Sequence, residues 1–236
     1  MENGSPSVTA RAVAQVRATM DRPVTPDGDG EIERRIVERF ASDRRSPMAD
    51  VLERRTRWFD DVTLRSVEGG IRQVVIVAAG YDCRAFRFRT PGVRFIELDH
   101  PDTQADKRRI LGELGARVGD VIYAAADFTV DDVAAVLAAA GHDAGEATVF
   151  LVEGLLVYLP ADVIVSLLGA LRARATPASR MAVSISRSPS PAFSARVAAV
   201  GEAVQSTFSD DEAGALLLRC GWHGDTTRPL VLASPG

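Results

Sequence analysis

Lysine is almost missing from this chain: Lys107 is the only one, and the remaining cationic charge is arginine. The bias matches GC-rich coding and assigns no function. Positive charge is not in excess either, since the 236 residues carry a formal net charge of −4. That leaves no basic field to neutralise phosphates, so no nucleic-acid partner is expected. Cysteine is limited to Cys83 and Cys220, far apart, and no secretory pattern opens the sequence. The expectation is a reducing, cytoplasmic setting without a disulfide framework. No apolar run approaches the roughly 20 residues that cross a bilayer, so no membrane partner is expected. Histidine is scarce as well, and His100, His142 and His223 are the only imidazoles available as bases.

What is present suits one folded α/β domain with a sizeable core: 46% hydrophobic and 25% charged residues. Residues 1–30 hold Pro23, Pro26, Gly28 and Gly30 and read as a mobile arm around a weak helix near Thr9 to Met20. Residues 31–70 read as a helical lid. Ile32, Ile36 and Phe40 recur at helical spacing, and a helix from about Met48 to Val67 puts Val51, Leu52, Phe59 and Val62 on one side. A plain cover for the sheet fits the same pattern. From 71 to 236 strands and helices alternate, with strands expected near 73–78, 93–98, 121–125, 147–152 and 180–186 and a closing strand from Arg228 to Ala233. Near-continuous apolar strands in such alternation imply a mostly parallel sheet with helices on both faces. Phe193, Val197, Val200 and Val204 make a late helical stripe, and Ser209 to Glu212 is a capping box. His142 lies in a polar stretch read as an exposed turn, and a surface place is expected for His223.

The chemistry concentrates where the apolar run Val74 to Val77 enters Ala78-Ala79-Gly80-Tyr81-Asp82-Cys83-Arg84. A second run, Val93 to Leu98, ends on Asp99, about 20 residues past Gly80. A strand, a turn open to close backbone approach and an acid for a ribose hydroxyl pair form the nucleoside-binding arrangement of a Rossmann-like unit. Only one glycine stands where a dinucleotide fingerprint needs three, so a pyrophosphate is poorly served. S-adenosylmethionine, which has a ribose and no phosphate, fits better.

Four segments then carry a resemblance: Val75 to Arg84, Glu97 to Pro101, Ala126-Asp127-Phe128 and Leu151 to Leu159. In order, they resemble the motifs of the leucine carboxyl methyltransferase family, and of its bacterial branch that includes polyketide carboxyl methyltransferases. The resemblance extends to Thr9-Ala10, Arg55 to Asp60 and Gly221-Trp222. It implies a class I methyltransferase fold, with a seven-stranded mostly parallel sheet whose last strand is antiparallel. It also implies that Asp127 and Phe128 read the adenine, that Glu153 contacts the methionine end, that His100 belongs to the cofactor surroundings, and that Arg55 or Arg57 holds the cofactor carboxylate. Cys83 and Phe128 depart from the threonine and leucine usual in the family.

The cofactor-binding set is therefore Arg55, Arg57, Ala78, Gly80, Asp82, Arg84, Asp99, His100, Asp127, Phe128 and Glu153. Asp82 fits the methionine amine or a cap on the next helix, and Arg84 fits the cofactor carboxylate or Asp82. Asp127 also fits a helix cap near Thr129. Catalytic candidates are limited to Tyr158 and His100, and no metal is needed. A carboxylate acceptor is already ionised at neutral pH and requires no base, whereas a phenol or alcohol normally does. The shortage of bases favours transfer to a carboxylate of a small metabolite. Against the resembling family the acceptor-covering segment around Arg187 to Gln205 is reduced, which implies that protein-phosphatase-like substrates are not expected. A hydroxyl or nitrogen methyltransferase, an NAD-dependent reductase and a binding protein without turnover are the competing readings.

Overall fold

Residues 6–40 and 48–236 are described by the structure, a computed structural model. Residues 1–5 of the expected arm and 41–47 of the expected lid lie outside them. Five strands run parallel: β1 (Gln73–Val77), β2 (Arg94–Asp99), β3 (Val121–Ala125), β4 (Thr148–Val152) and β5 (Arg180–Ser184). β6 (Trp222–His223) and β7 (Leu230–Pro235) close the sheet, β7 antiparallel to both β5 and β6. The strand order is β3-β2-β1-β4-β5-β7-β6. Two-residue β6 is the one strand that the apolar pattern does not announce.

Every residue of β1 and β4 is buried, because successive side chains feed opposite faces. Val75, Val77, Phe150 and Val152 join a cluster with α6 (Val133–Ala139), α7 (Ala161–Ala173) and α9 (Asp210–Arg219). Val74, Ile76, Val149 and Leu151 join the opposite cluster with α1 (Val8–Ala18), α2 (Ile32–Val37) and α3 (Ala49–Glu68). Each aliphatic side chain so buried is worth about 1.5–3 kcal/mol of transfer free energy. The capping box at Ser209 and Glu212 forms as expected and opens α9.

Four expectations change. Residues 6–30 are packed: Ala14, Val16, Arg17 and Arg22 are buried, and Arg22 grips Asp60 of α3 through two 2.8 Å hydrogen bonds. Proline and glycine content there marks a path without regular structure, and side-chain ion pairs hold it. Val51 is 46% exposed although Leu52, Phe59 and Val62 are buried. His142 is buried at 3% exposure, its Nε2 3.0 Å from Thr148 Oγ1. Burial, then the nearby Arg174 and Arg94, push its pKa down to about 4. The late stripe is also shorter than its apolar spacing implies: α8 (Pro191–Ala198) buries only Val197.

Candidate functional site

The order of the sheet reverses between β1 and β4, and in open α/β sheets ligands bind outside the carboxyl ends of strands at that point. A cavity of about 1460 Å³ lies there, lined by Val77 to Asp82 after β1, Asp99 and His100 after β2, Ala126 to Thr129 after β3, and Glu153 to Leu155 after β4.

The turn after β1 places Ala78 and Gly80 at φ +52°, and Ala78 is the only non-glycine residue with positive φ among the described residues. Left-handed backbone costs Ala78 energy that Gly80 avoids. A Cβ at position 80 would also stand 2.9 Å from Ala10 Cβ, so α1 sits directly on the turn. The Gly80 N–H donates to Asp99 Oδ2 at 2.5 Å, and the His100 N–H to Asp99 Oδ1 at 2.7 Å. Burial pushes the Asp99 pKa up to about 6 against the pull of these two donors. Each oxygen keeps acceptor capacity beyond its one backbone bond.

His100 caps α5 (Pro101–Glu113), its Nδ1 accepting the Asp102 N–H at 3.3 Å. This engages one of its two ring nitrogens in structure. Asp127 does not cap a helix, because Asp132 caps α6. It accepts instead from the Thr129 N–H at 2.9 Å and hydroxyl at 2.7 Å, and those bonds lower its pKa. Phe128 beside it is half-buried against the apolar cluster.

A buried ion network underlies the floor. Glu153 accepts from Arg55 Nε at 2.9 Å, and from Arg17 Nη2 and Arg84 Nη1 at 2.8 Å each. Burial opposes its ionisation, yet the three guanidinium groups hold it well below the usual carboxylate range. Arg84, at 0% exposure on α4 (Arg84–Arg87), also reaches Asp60 Oδ1 at 2.7 Å, Thr56 O at 3.1 Å, and Asp82. Asp82 accepts the Arg84 N–H at 2.8 Å and pairs with Arg17 at 3.2 Å. Burial acts against its ionisation, and Arg84 and Arg17 lower its pKa overall. Of the alternatives in the sequence, Arg84 pairs with Asp82, and the N-cap position of α4 is Cys83, without a side-chain cap bond. With Arg22 and Glu33 included, four arginines face four carboxylates, which compensates the cost of burying them.

Arg55 lines the cavity, and Arg57 does not: it is exposed, bonded to Glu53 at 2.7 Å and to Asp21 O at 3.0 Å. Tyr158 lines the cavity, and burial raises its hydroxyl pKa, which leaves it a poor source of a base. Burial likewise raises the Cys83 thiol well above its ordinary value. Sequence reasoning missed Arg17, which falls in the expected arm. Its signal was the spacing Ala10, Val13, Ala14, Arg17, which sets an arginine on the packed side of α1. It also missed Glu202, whose carboxylate accepts the Val8 N–H at 2.9 Å and the Ser7 hydroxyl at 3.0 Å, joining the start of α1 to the segment after α8. Among the described residues, no group of three or more His, Cys, Asp or Glu is placed to hold a metal ion, and no helix is long and apolar enough to cross a membrane.

The family model of leucine carboxyl methyltransferase matches residues 9–172, which carry all these groups except Glu202. The chain belongs to the leucine carboxyl methyltransferase family. A relative from Mycolicibacterium gilvum, provisionally named an S-adenosyl-L-methionine-dependent methyltransferase, is 39% identical over 155 residues, covering 65% of this chain and 50% of its own. One from Frankia alni with the same kind of name is 41% identical over 133 residues, covering 56% and 46%. The chain spans about half the length of the curated relatives it matches. Among solved structures, magnesium protoporphyrin IX methyltransferase from Synechocystis superposes with a TM-score of 0.54 at 14% identity, covering 86% of this chain and 92% of that one. Mitomycin 7-O-methyltransferase gives 0.52 at 20% identity, covering 81% and 58%. These likenesses establish the class I methyltransferase fold.

Proposed function

We propose that this chain is an S-adenosylmethionine-dependent O-methyltransferase acting on a carboxylate of a small molecule. One observation carries the reading: Gly80, Asp99, Asp127 and Glu153 end four different segments of chain and line one cavity at the switch point of the sheet. At about 1460 Å³ the cavity exceeds the ~300–1,000 Å³ typical of a single ligand and has room for a cofactor and an acceptor together.

The residues fit the cofactor. Asp99 has acceptor capacity for a ribose hydroxyl pair, and Asp127 with the Phe128 wall suits an adenine edge and face. Arg55 and the Gly80 turn suit a methionine carboxylate and the backbone approach beside it. Bound there, S-adenosylmethionine supplies a methyl group on a cationic sulfur, open to in-line displacement. The protein then contributes position and exclusion of water. Glu153 stays ionised under three guanidinium groups, and the Tyr158 hydroxyl stays protonated. An acceptor that arrives already ionised matches these surroundings.

Calorimetry with S-adenosylhomocysteine, followed by methyl transfer to a panel of carboxylic acids, phenols and amines, tests the reading. Binding and a base-labile methyl ester product are expected. No uptake of the cofactor product, or transfer confined to phenols or amines, refutes it.

A further inference from the structure

Six arginines line the cavity, and four of them are engaged. Arg17, Arg55 and Arg84 hold Glu153, and Arg187 pairs with Asp210 at 3.1 Å while donating to Ser209 O at 2.8 Å. Arg54 on α3 and Arg196 on α8 have no ion-pair or hydrogen-bond partner among the described residues, and both are exposed. Each stands on an apolar wall of the same cavity: Val51 and Leu52 beside Arg54, Phe193, Val197 and Val200 beside Arg196. Apolar walls carrying unpaired guanidinium groups match a ligand with an apolar body and an anionic head.

On the proposed carboxylate reading, the reacting oxygen is not what these arginines bind best. A guanidinium bonded to that carboxylate lowers its nucleophilicity, and its pairing is lost as the charge disappears into the ester. Such bonds stabilise the bound ground state more than the transition state. An anion that keeps its charge throughout the reaction is held equally before and after transfer. We propose that the acceptor carries, besides the carboxylate that takes the methyl group, a second anionic group held by Arg54 and Arg196. The two side chains are specificity determinants, and their contribution lies in acceptor binding rather than in turnover.

Naphthalene-2-carboxylate and naphthalene-2,6-dicarboxylate serve as matched probes on the full chain saturated with S-adenosylhomocysteine. Calorimetry should show the diacid binding about tenfold tighter than the monoacid, about 1.4 kcal/mol. In the R54Q/R196Q double variant the preference should fall to about twofold or less, with the affinity for S-adenosylhomocysteine unchanged. Raising the salt from about 0.05 to about 0.5 M should erode the wild-type preference, because exposed pairs are screened. A wild type that binds the diacid no more tightly than the monoacid, or a preference that survives in the double variant, overturns the proposal. The two readings fail separately: absent S-adenosylhomocysteine binding removes the methyltransferase assignment, while normal cofactor binding without diacid preference removes only the second anion.

Discussion

The two covers of the cavity are built differently. On the amino-terminal side, α3 alone buries Leu52, Thr56, Phe59, Asp60, Val62, Thr63 and Val67, and the ion network ties it to α1, to the turn after β1 and to the end of β4. On the other side α8 buries Val197 alone. The first cover is continuous with the groups that suit the cofactor, so it is part of the fold's rigid frame. The second touches the cavity through a few apolar side chains and an exposed arginine.

Breaking the network should produce the largest effect. Arg84→Met leaves Asp60, Asp82 and Glu153 short of a buried cation, and removal of one partner from such a group costs about 3–5 kcal/mol. Urea denaturation measures it, and a loss under 1 kcal/mol would show that the amino-terminal cover is not held this way. Next comes Asp99→Asn. On the proposed ribose contact, loss of the ionised acceptor should weaken S-adenosylhomocysteine binding about 100-fold by calorimetry. The same residue sets a pH dependence. With its pKa pushed up to about 6, affinity should fall as pH drops through that value and the carboxylate gains a proton. The stability of the free protein moves the other way for this group. Its folded pKa lies above the unfolded value, so protonation favours the folded state from about pH 6 down to about 4.

Val197→Ala sharpens the contrast between the covers, since loss of two buried methyl groups should cost about 1–2 kcal/mol and leave cofactor affinity unchanged. His142 supplies a pH-dependent effect at the amino end of β4, remote from both covers. Its folded pKa near 4 lies below the ordinary 6.5, so the unfolded chain takes up the proton first. The folded protein should therefore lose stability as pH falls from about 6.5 to about 4, and His142→Gln should remove that component. Denaturation midpoints across this range would show it.

The sheet was legible in the sequence because period-two burial on both faces forces unbroken apolar runs, and β1 to β5 fall within about two residues of their expected positions. β6 escaped because two residues carry no periodicity. The positions of the acids were legible too, since Asp99 and Asp127 each follow an apolar run. Burial of arginine was not legible. Arg17 and Arg22 look like solvated charges in a segment rich in proline and glycine, and only the chain folding back onto Asp60, Asp82 and Glu153 gives them partners. His142 misled for the same reason: its polar neighbours are exposed, while its own ring turns inward to Thr148.

The choice between Arg55 and Arg57 gives the smallest expected effect. They are two positions apart on α3, about 200° around the helix, so only one can face the sheet. Arg55 meets Glu153 at the cavity floor, while Arg57 lies along the outer surface against Glu53. Arg57→Ala should therefore change stability by less than about 0.5 kcal/mol and leave S-adenosylhomocysteine affinity within about twofold. Arg55→Ala should weaken that affinity about tenfold, because a cation beside the proposed methionine end is removed and Glu153 loses one of three donors. Equal effects of the two substitutions in calorimetry would mean that the cofactor carboxylate is not met from this face of α3.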